Sequence, residues 1–443
     1  MLLHNGAECF LLPVIFLNII ANTPLFFKNL PYTNLVIGLL AYPFIRRISC
    51  REIAMEGMRM KKLWVVLSIL LLLSTLVWGV SAEGLDVQAK SALLMDVATG
   101  TILYEKNAHE PLPPASVTKV MTMLLIMEAI DSGAVSYSDT VTTSETAAAK
   151  GGSQVFLKVG ETMSVSEMLK SIAVSSANDC ACAMAEHIAG SEAAFVERMN
   201  ERAKELGLND THFVNCTGLD DGPDAANHRT SAHDIAVMSR ELLARHPDIT
   251  KYTTIWMDTR RGGAFGLSNT NKLIRFYPGA TGLKTGFTST AGYCLSATAK
   301  REDLELIAVV MGCESSQKRS ADCKTLLDYG YANYSVVRPG LKEGRTVAVH
   351  LGKEATVPVE LVDRREILVD KAKRTSLSAK VELVQMVPAP VKKGQNLGTI
   401  KVYADEKMLI QLPLVAGAAV EKLSFWDVYK IVLRRVALAQ PAA

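Results

Sequence analysis

The chain has 443 residues, of which 49% are hydrophobic, 21% charged and 6% aromatic. This excludes collagen, coiled coil and disorder, and the length suits two or three domains. Its 48 basic and 45 acidic residues leave a net charge of +3, too small a field to grip a nucleic-acid backbone, so no nucleic-acid partner is expected.

Residues 1–59 hold two short apolar runs, Cys9–Ala21 and Asn34–Ile45, interrupted by Pro13 and Pro43. From Met60 the chain reads Lys61-Lys62, an apolar run from Leu63 to Trp78, and small residues at Val80 and Ala82. That is the pattern of a secretory signal over 60–82 cleaved after Ala82; the run is shorter than the ~20 apolar residues a spanning helix needs, and a retained signal anchor is the alternative. A cleavable signal belongs at the start of a chain, so 1–59 are expected to be an upstream extension, with translation beginning at Met58 or Met60.

Ser91–Asp96 and Thr101–Glu105, split by Ala98-Thr99-Gly100, read as a hairpin. Ser116–Ile130 is apolar nearly all round and is expected to be a central buried helix. Further helices are expected at Val165–Val174, Asp179–Ala189, Glu192–Leu206 and Ser231–Arg245, then strands at Thr281–Phe287, Tyr293–Ala299 and Leu304–Gly312, and a last helix at Asp322–Tyr331. Residues 83–336 therefore read as an α+β domain with helices packed on an antiparallel sheet. Beyond Val336 come short alternating runs, Thr346–Leu351, Ala355–Leu361, Ala379–Gln385, Gly398–Ala404 and Lys407–Leu414, expected to form a small β-rich domain over 337–420 without catalytic groups. In 421–443, Ser424 and Asp427 look like a capping box opening a helix with Phe425, Trp426, Tyr429, Val432, Leu433 and Val436 on one face and Lys422, Lys430, Arg434 and Arg435 around it. Such a helix lies on an anionic membrane surface or packs on its own domain.

Six of the eight cysteines lie beyond the signal: Cys180, Cys182, Cys216, Cys294, Cys313 and Cys323. Their spacing fits no zinc pattern and no H-E-x-x-H occurs, so no metal or cofactor is expected; buried free thiols are favoured over disulfides.

Three short strings carry chemistry: Ser116-Val117-Thr118-Lys119, Ser176-Ala177-Asn178 and Lys284-Thr285-Gly286. Ser116 and Lys119 are one helical turn apart, so their side chains share a side. A serine hydroxyl needs a base to become a nucleophile, and a lysine serves once burial and a second cation, here Lys284, depress its pKa. Ser176 offers a hydroxyl to relay a proton, and Asn178 an amide to hold substrate or orient Lys119. Gly286 leaves room for an extended substrate backbone, and Thr285 beside Lys284 can bind a carboxylate.

In this order the strings resemble the penicillin-binding protein and serine β-lactamase superfamily. The segments Pro113–Lys119, Ser176–Asp179, Thr211–Asn215 with Thr217–Leu219, and Gly282–Gly286 resemble low-molecular-mass D-alanyl-D-alanine carboxypeptidases, and the likeness spans 83–443. The resemblance implies a β-lactamase/transpeptidase-like fold, Ser116 as acylated nucleophile, Lys119 as base, Ser176 as proton relay, and Lys284 with Thr285 as carboxylate site. It also implies an oxyanion hole from the N–H groups of Ser116 and Phe287. Implied partners are a peptidoglycan stem peptide ending in D-Ala-D-Ala, β-lactams as covalent inhibitors and a membrane surface, and the implied place is the outer face of a bacterial cytoplasmic membrane. Ala177 stands where glycine is frequent, and Phe287 where some members have histidine. Arg319 either helps bind the terminal carboxylate or is a solvated surface charge.

Two rivals remain. A β-lactamase needs a base for deacylation, and Glu205-Leu206-Gly207-Leu208-Asn209 matches an E-x-x-L-N string, although it reads as a helix end. A non-catalytic wall-binding or β-lactam-sensing protein would keep the pocket without turnover. His228, His233 and Asp234 suggest a triad on paper, but Ser231 with Asp234 reads as a helix cap. A second S-x-x-K, Ser315–Lys318, follows the K-T-G and is expected in a loop.

Overall fold

The computed structural model describes residues 85–438; the expected signal over 60–82 and upstream extension over 1–59 lie outside the described residues. Five strands, β1 (Ser91–Asp96), β2 (Ile102–Lys106), β3 (Ala280–Thr288), β4 (Gly292–Arg301) and β5 (Leu304–Cys313), pair antiparallel in the order β2-β1-β5-β4-β3. Period-two alternation divides their side chains between two cores. Leu93, Met95, Ile307, Val309 and Met311 point into one, and Ala92, Leu94, Leu306, Ala308 and Val310 into the other. The first is filled by α1 (Lys119–Asp131), α2 (Val165–Ser175), α3 (Asn178–Ala189), α4 (Glu192–Glu205) and α5 (Ala232–Arg245). The second is covered by α6 (Ser316–Asn333) through Cys323, Leu326 and Leu327. The sheet is thus the middle of three layers, as the α+β reading required.

Serines set the helix starts. Ser164, Ser191, Ser231 and Ser315 each accept a hydrogen bond from the backbone N–H three residues on, a cap worth about 1 kcal/mol. The last of these corrects the expectation of a helix over Asp322–Tyr331. Capped by Ser315, α6 begins at Ser316, so the second S-x-x-K opens a helix and is not in a loop.

The expected helix over Ser116–Ile130 is also divided. Ala115–Thr118 is a 3-10 turn and α1 starts only at Lys119. The reason is backbone conformation: Ala115 has φ 48°, a left-handed value that an α-helix of L-residues cannot propagate. The six cysteines of the described residues are all buried and free.

The β-rich part comprises β6 (Tyr334–Val337), β7 (Thr346–His350), β8 (Thr356–Leu361), β9 (Ile367–Asp370), β10 (Ser378–Leu383), β11 (Met386–Pro388), β12 (Asn396–Ala404) and β13 (Lys407–Ala416). A six-stranded sheet runs β10-β12-β13-β8-β7-β11, and β6 pairs with β9. Val347, Val357, Leu397, Ile400, Leu412 and Leu414 form its own core. The chain then enters α7 (Phe425–Leu438), opened by a reciprocal box in which Asp427 N–H donates to Ser424 Oγ and Ser424 N–H donates to Asp427 Oδ2. Phe425 is 76% exposed, Trp426 65% and Val436 69%, so the domain does not cover the apolar face of this helix. Among the described residues no helix is long and apolar enough to cross a membrane.

Candidate active site

Ser116 lies on the 3-10 turn that leads into α1, partly exposed, while Lys119 at the head of α1 is fully buried. Three residues apart on this turn, their side chains meet: Lys119 Nζ donates to Ser116 Oγ at 3.0 Å and to the carbonyl of Thr217 at 2.7 Å. Burial pushes the Lys119 ammonium down to about 7, against the upward pull of Cys216 and Asp179. Near neutral pH the amine therefore carries a free lone pair in part of the population, beside the hydroxyl it would deprotonate.

The Thr217 carbonyl is set by an Asx-type turn. Asn215 Oδ1 accepts from the N–H groups of Thr217 and Gly218 at 3.1 and 2.6 Å, and Asn215 Nδ2 donates to Leu219 O at 2.9 Å. Gly218 has φ 83°, and a Cβ there would stand 1.8 Å from the Ala115 carbonyl oxygen. Only glycine allows the two backbones this approach. The string Thr217-Gly218-Leu219 entered the sequence reading through resemblance alone; its physical role is to press the lysine's acceptor against the Ser116 turn.

Ser176 ends α2 in a left-handed conformation, φ 65°. Its Oγ is buried without a partner, as is Asn178 Oδ1. The Asn178 Nδ2 donates to Gly151 O at 2.7 Å and its backbone N–H to Ser153 O at 2.7 Å, so Asn178 braces the 151–153 loop. The partners of the Lys119 ammonium are Ser116 and Thr217, so the expectation that Asn178 orients Lys119 is not met. Asp179, quoted in the sequence reading with no role of its own, is fully buried and accepts from the N–H groups of Val155 and Leu157 at 3.1 Å each, fixing the rest of that loop.

On β3, Gly286 packs against the Ser116 turn: an added Cβ would lie 2.7 Å from Pro114 O and 3.1 Å from Val117 Cγ2, so the room expected there for a substrate backbone is taken by the chain's own turn. Lys284, two residues back and so on the same face, is buried, with Nζ donating to Thr285 O at 2.8 Å. Burial, then the positive charges of Lys119 and Arg319, hold Lys284 well below the usual lysine range. Burial is the largest cause at both amines, and the repulsion expected between them adds to it at Lys284. Thr285 Oγ1 donates to Thr270 Oγ1 at 2.6 Å, a partner no local signal could have indicated. Phe287 is 54% exposed and stacks on Tyr293 with centroids 4.2 Å apart.

Arg319 corrects the surface-charge reading. Carried on α6 it is 7% exposed, lies over the Tyr293 ring and donates through Nη1 to the carbonyls of Gly286 and Cys294 at 3.3 and 3.4 Å, with Nε buried and unpartnered. It braces the back of the K-T-G strand. Glu205, by contrast, ends α4 with its side chain 65% exposed, ion-paired to Arg202. His233 pairs with Asp234, and Asp234 N–H is capped by Ser231. His228 is buried against Thr118, not Ser116.

The family described as D-alanyl-D-alanine carboxypeptidase matches residues 78–315, and that described as penicillin-binding protein 5, C-terminal domain, matches residues 333–422. The chain belongs to the D-alanyl-D-alanine carboxypeptidase family. By that membership it is a serine-type carboxypeptidase of the penicillin-binding proteins. It is similar to D-alanyl-D-alanine carboxypeptidase DacF of Bacillus subtilis (strain 168), 44% identical over 354 residues, which are 78% of this chain and 90% of the relative. Penicillin-binding protein 5 from Haemophilus influenzae superposes with a TM-score of 0.64 at 31% identity over 76% of this chain and 98% of that one. Penicillin-binding protein D2 from Listeria monocytogenes, in its ampicillin-bound form, does so with a TM-score of 0.52 at 31% identity, over 56% of this carboxypeptidase and 100% of that chain.

The contact at Gly218 yields a prediction. In this carboxypeptidase Gly218→Ala must strain a left-handed residue and push the Ala115 carbonyl, and so should slow covalent labelling by a fluorescent penicillin by roughly tenfold or more while the chain still melts cooperatively. Labelling at the unaltered rate would show that the contact does not set the Ser116 turn.

Proposed function

We propose that the chain removes the terminal D-alanine from peptidoglycan stem peptides ending in D-Ala-D-Ala, through an ester on Ser116. The observation that carries this reading is the 3.0 Å contact between Lys119 Nζ and Ser116 Oγ, made by a lysine whose burial leaves it part neutral.

Neutral Lys119 takes the Ser116 hydroxyl proton as Oγ attacks the penultimate carbonyl, whose oxygen becomes an oxyanion held by the N–H groups of Ser116 and Phe287. The C–N bond then breaks and the departing amine of D-alanine receives a proton through Ser176, whose buried hydroxyl has no partner of its own to compete. Water attacks the ester, Lys119 taking its proton, and Ser116 is restored. Lys284 and Thr285 receive the terminal carboxylate. An incoming carboxylate also offsets the burial that depresses Lys284, so substrate binding draws a proton onto that amine. Asn178 lines the path of the peptide, Gly286 lets β3 pack against the Ser116 turn, and Arg319 acts from behind by holding the Gly286 carbonyl. A β-lactam follows the same first step and leaves an ester on Ser116. Exported by its signal, the enzyme works at the outer face of the bacterial cytoplasmic membrane, with the uncovered apolar face of α7 lying in the lipid surface amid Lys430, Arg434 and Arg435.

Three measurements test this. Purified chain incubated with a peptide ending in D-Ala-D-Ala should release D-alanine, and Ser116→Ala should abolish both release and the penicillin adduct detected by mass spectrometry. Labelling without turnover would favour the sensing protein, and transfer to an added amine a transpeptidase. Acylation should also rise with pH: only neutral Lys119 accepts a proton, so its rate should climb through an apparent pKa near 7 and level off above it. Lys119→Arg, which cannot be deprotonated, should lose at least about a thousandfold, and a pH-independent rate would remove Lys119 as base. Finally, the chain should sediment with vesicles containing anionic phospholipid, less so at high salt; Trp426→Glu together with Val432→Glu should leave it in the supernatant, and equal sedimentation would dismiss α7 as the anchor.

A further inference from the structure

A buried polar chain runs behind Ser116 and has no part in the steps above. Val214 N–H donates to His228 Nδ1 at 3.1 Å, His228 Nε2 lies 2.7 Å from Thr118 Oγ1, and Thr118 Oγ1 donates to Ala115 O at 2.8 Å. Its directions are fixed by the donors at its ends. A backbone N–H can only donate, so Nδ1 is the unprotonated nitrogen, Nε2 carries the proton and gives it to Thr118, and the hydroxyl passes its own to the carbonyl. Burial, with the charges of His212 and Lys119, pushes His228 down to about 4, so this single neutral tautomer persists at neutral pH. His228, Thr118 and Ala115 are each no more than 3% exposed, and in such surroundings an unmade hydrogen bond is costly.

The end of the relay matters because of where it lies. The Ala115 carbonyl and the Ser116 N–H belong to one planar peptide unit and point in opposite directions. Fixing the carbonyl therefore aims the N–H. That unit also stands next to a non-glycine residue with φ 48°, a conformation that persists only when its surroundings over-determine it. The Thr118 hydroxyl holds the carbonyl, and Gly218 packs directly against it.

We propose that His228, acting through Thr118, is a positioning residue that locks the plane of the Ala115–Ser116 peptide and so aims the Ser116 N–H as an oxyanion donor. The proposal rests on the reading of Ser116 as nucleophile with its own N–H in the oxyanion hole. Hydrogen bonding to the carbonyl also polarises the peptide and strengthens the N–H as a donor. Neither His228 nor Thr118 touches substrate. Their effect falls on the step in which negative charge develops, not on the encounter with ligand.

The test is rapid-mixing acylation of the purified chain by a fluorescent penicillin, separating the dissociation constant of the encounter complex from the acylation rate, with the adduct located by mass spectrometry. Thr118→Val keeps the shape and deletes the hydroxyl; it should slow acylation by about thirtyfold, less than the loss of a whole oxyanion donor, and leave the encounter constant within about twofold. Thr118→Ser should recover most of that loss, which mere packing would not produce. His228→Gln, with an amide N–H in place of Nε2–H, should acylate at least about fivefold faster than His228→Leu. Should Thr118→Val not fold, the two His228 variants decide the matter alone. Acylation by Thr118→Val at the rate of the parent chain, or equal rates for the two His228 variants, overturns the relay while Ser116 is still labelled in the parent. Absence of any Ser116 adduct in the parent chain would instead overturn the nucleophile reading on which the relay rests.

Discussion

An ammonium group buried beside a hydroxyl is the constraint around which this molecule is arranged. Bringing Lys119 from about 10.5 to about 7 corresponds to on the order of 5 kcal/mol favouring the neutral amine, and that bias must be sustained by the surrounding fold. The Thr217 carbonyl holds the amine in place without supplying the charge that would keep it protonated. The second buried amine, Lys284, is subject to the same burial and also to repulsion from Lys119 and Arg319. A site prepared in this way is short of negative charge. In the proposed reaction a substrate bearing a carboxylate and developing an oxyanion supplies what it lacks, so ground-state binding and transition-state stabilisation draw on one electrostatic deficit.

Holding such a site open needs backbone that regular secondary structure does not provide. Ala115, Ser176 and Gly218 all adopt positive φ, at 48°, 65° and 83°, and each touches or adjoins a residue of the constellation. Strain of this kind gathers where the surroundings over-determine it. Here the determinants are specific: Gly218 against the Ala115 carbonyl, Asn215 bracing the Thr217 turn, Gly286 against Pro114, and Asp179 with Asn178 tying down the 151–157 loop. The three-layer packing supplies the rigid support: α6 packs on β5 and β4, and from it Arg319 reaches across to the Gly286 carbonyl on β3.

The β-rich part is built around a core of its own. Its core is closed within its own strands, and it ends in a helix whose Phe425, Trp426 and Val436 side chains are largely exposed. An apolar face left uncovered in this way is what the proposed attachment to a lipid surface uses.

What the sequence determined by itself was local. The serine cap at 231, alternation along β1 and β5, and the i, i+3 spacing of Ser116 and Lys119 are written within a few residues of where they act, so most helices, the strands and the central pair were legible, whereas the cap at Ser315 went unread and α6 was expected too short. Order along the chain was enough to pair S-x-x-K with S-x-N and K-T-G. The sequence misled where local pattern and tertiary contact disagree. Ser116 looked helical until Ala115 was driven into a left-handed conformation, and Arg319 looked solvated because nothing near it in sequence reveals that α6 presses it against β3. The tertiary structure alone decided the depressed pKa of Lys119, the choice of Thr217 as its acceptor, the Thr270 partner of Thr285 and the place of His228 behind Thr118. Desolvation and hydrogen-bond partnership depend on which distant segments enclose a group, and neighbours along the chain carry no record of that enclosure.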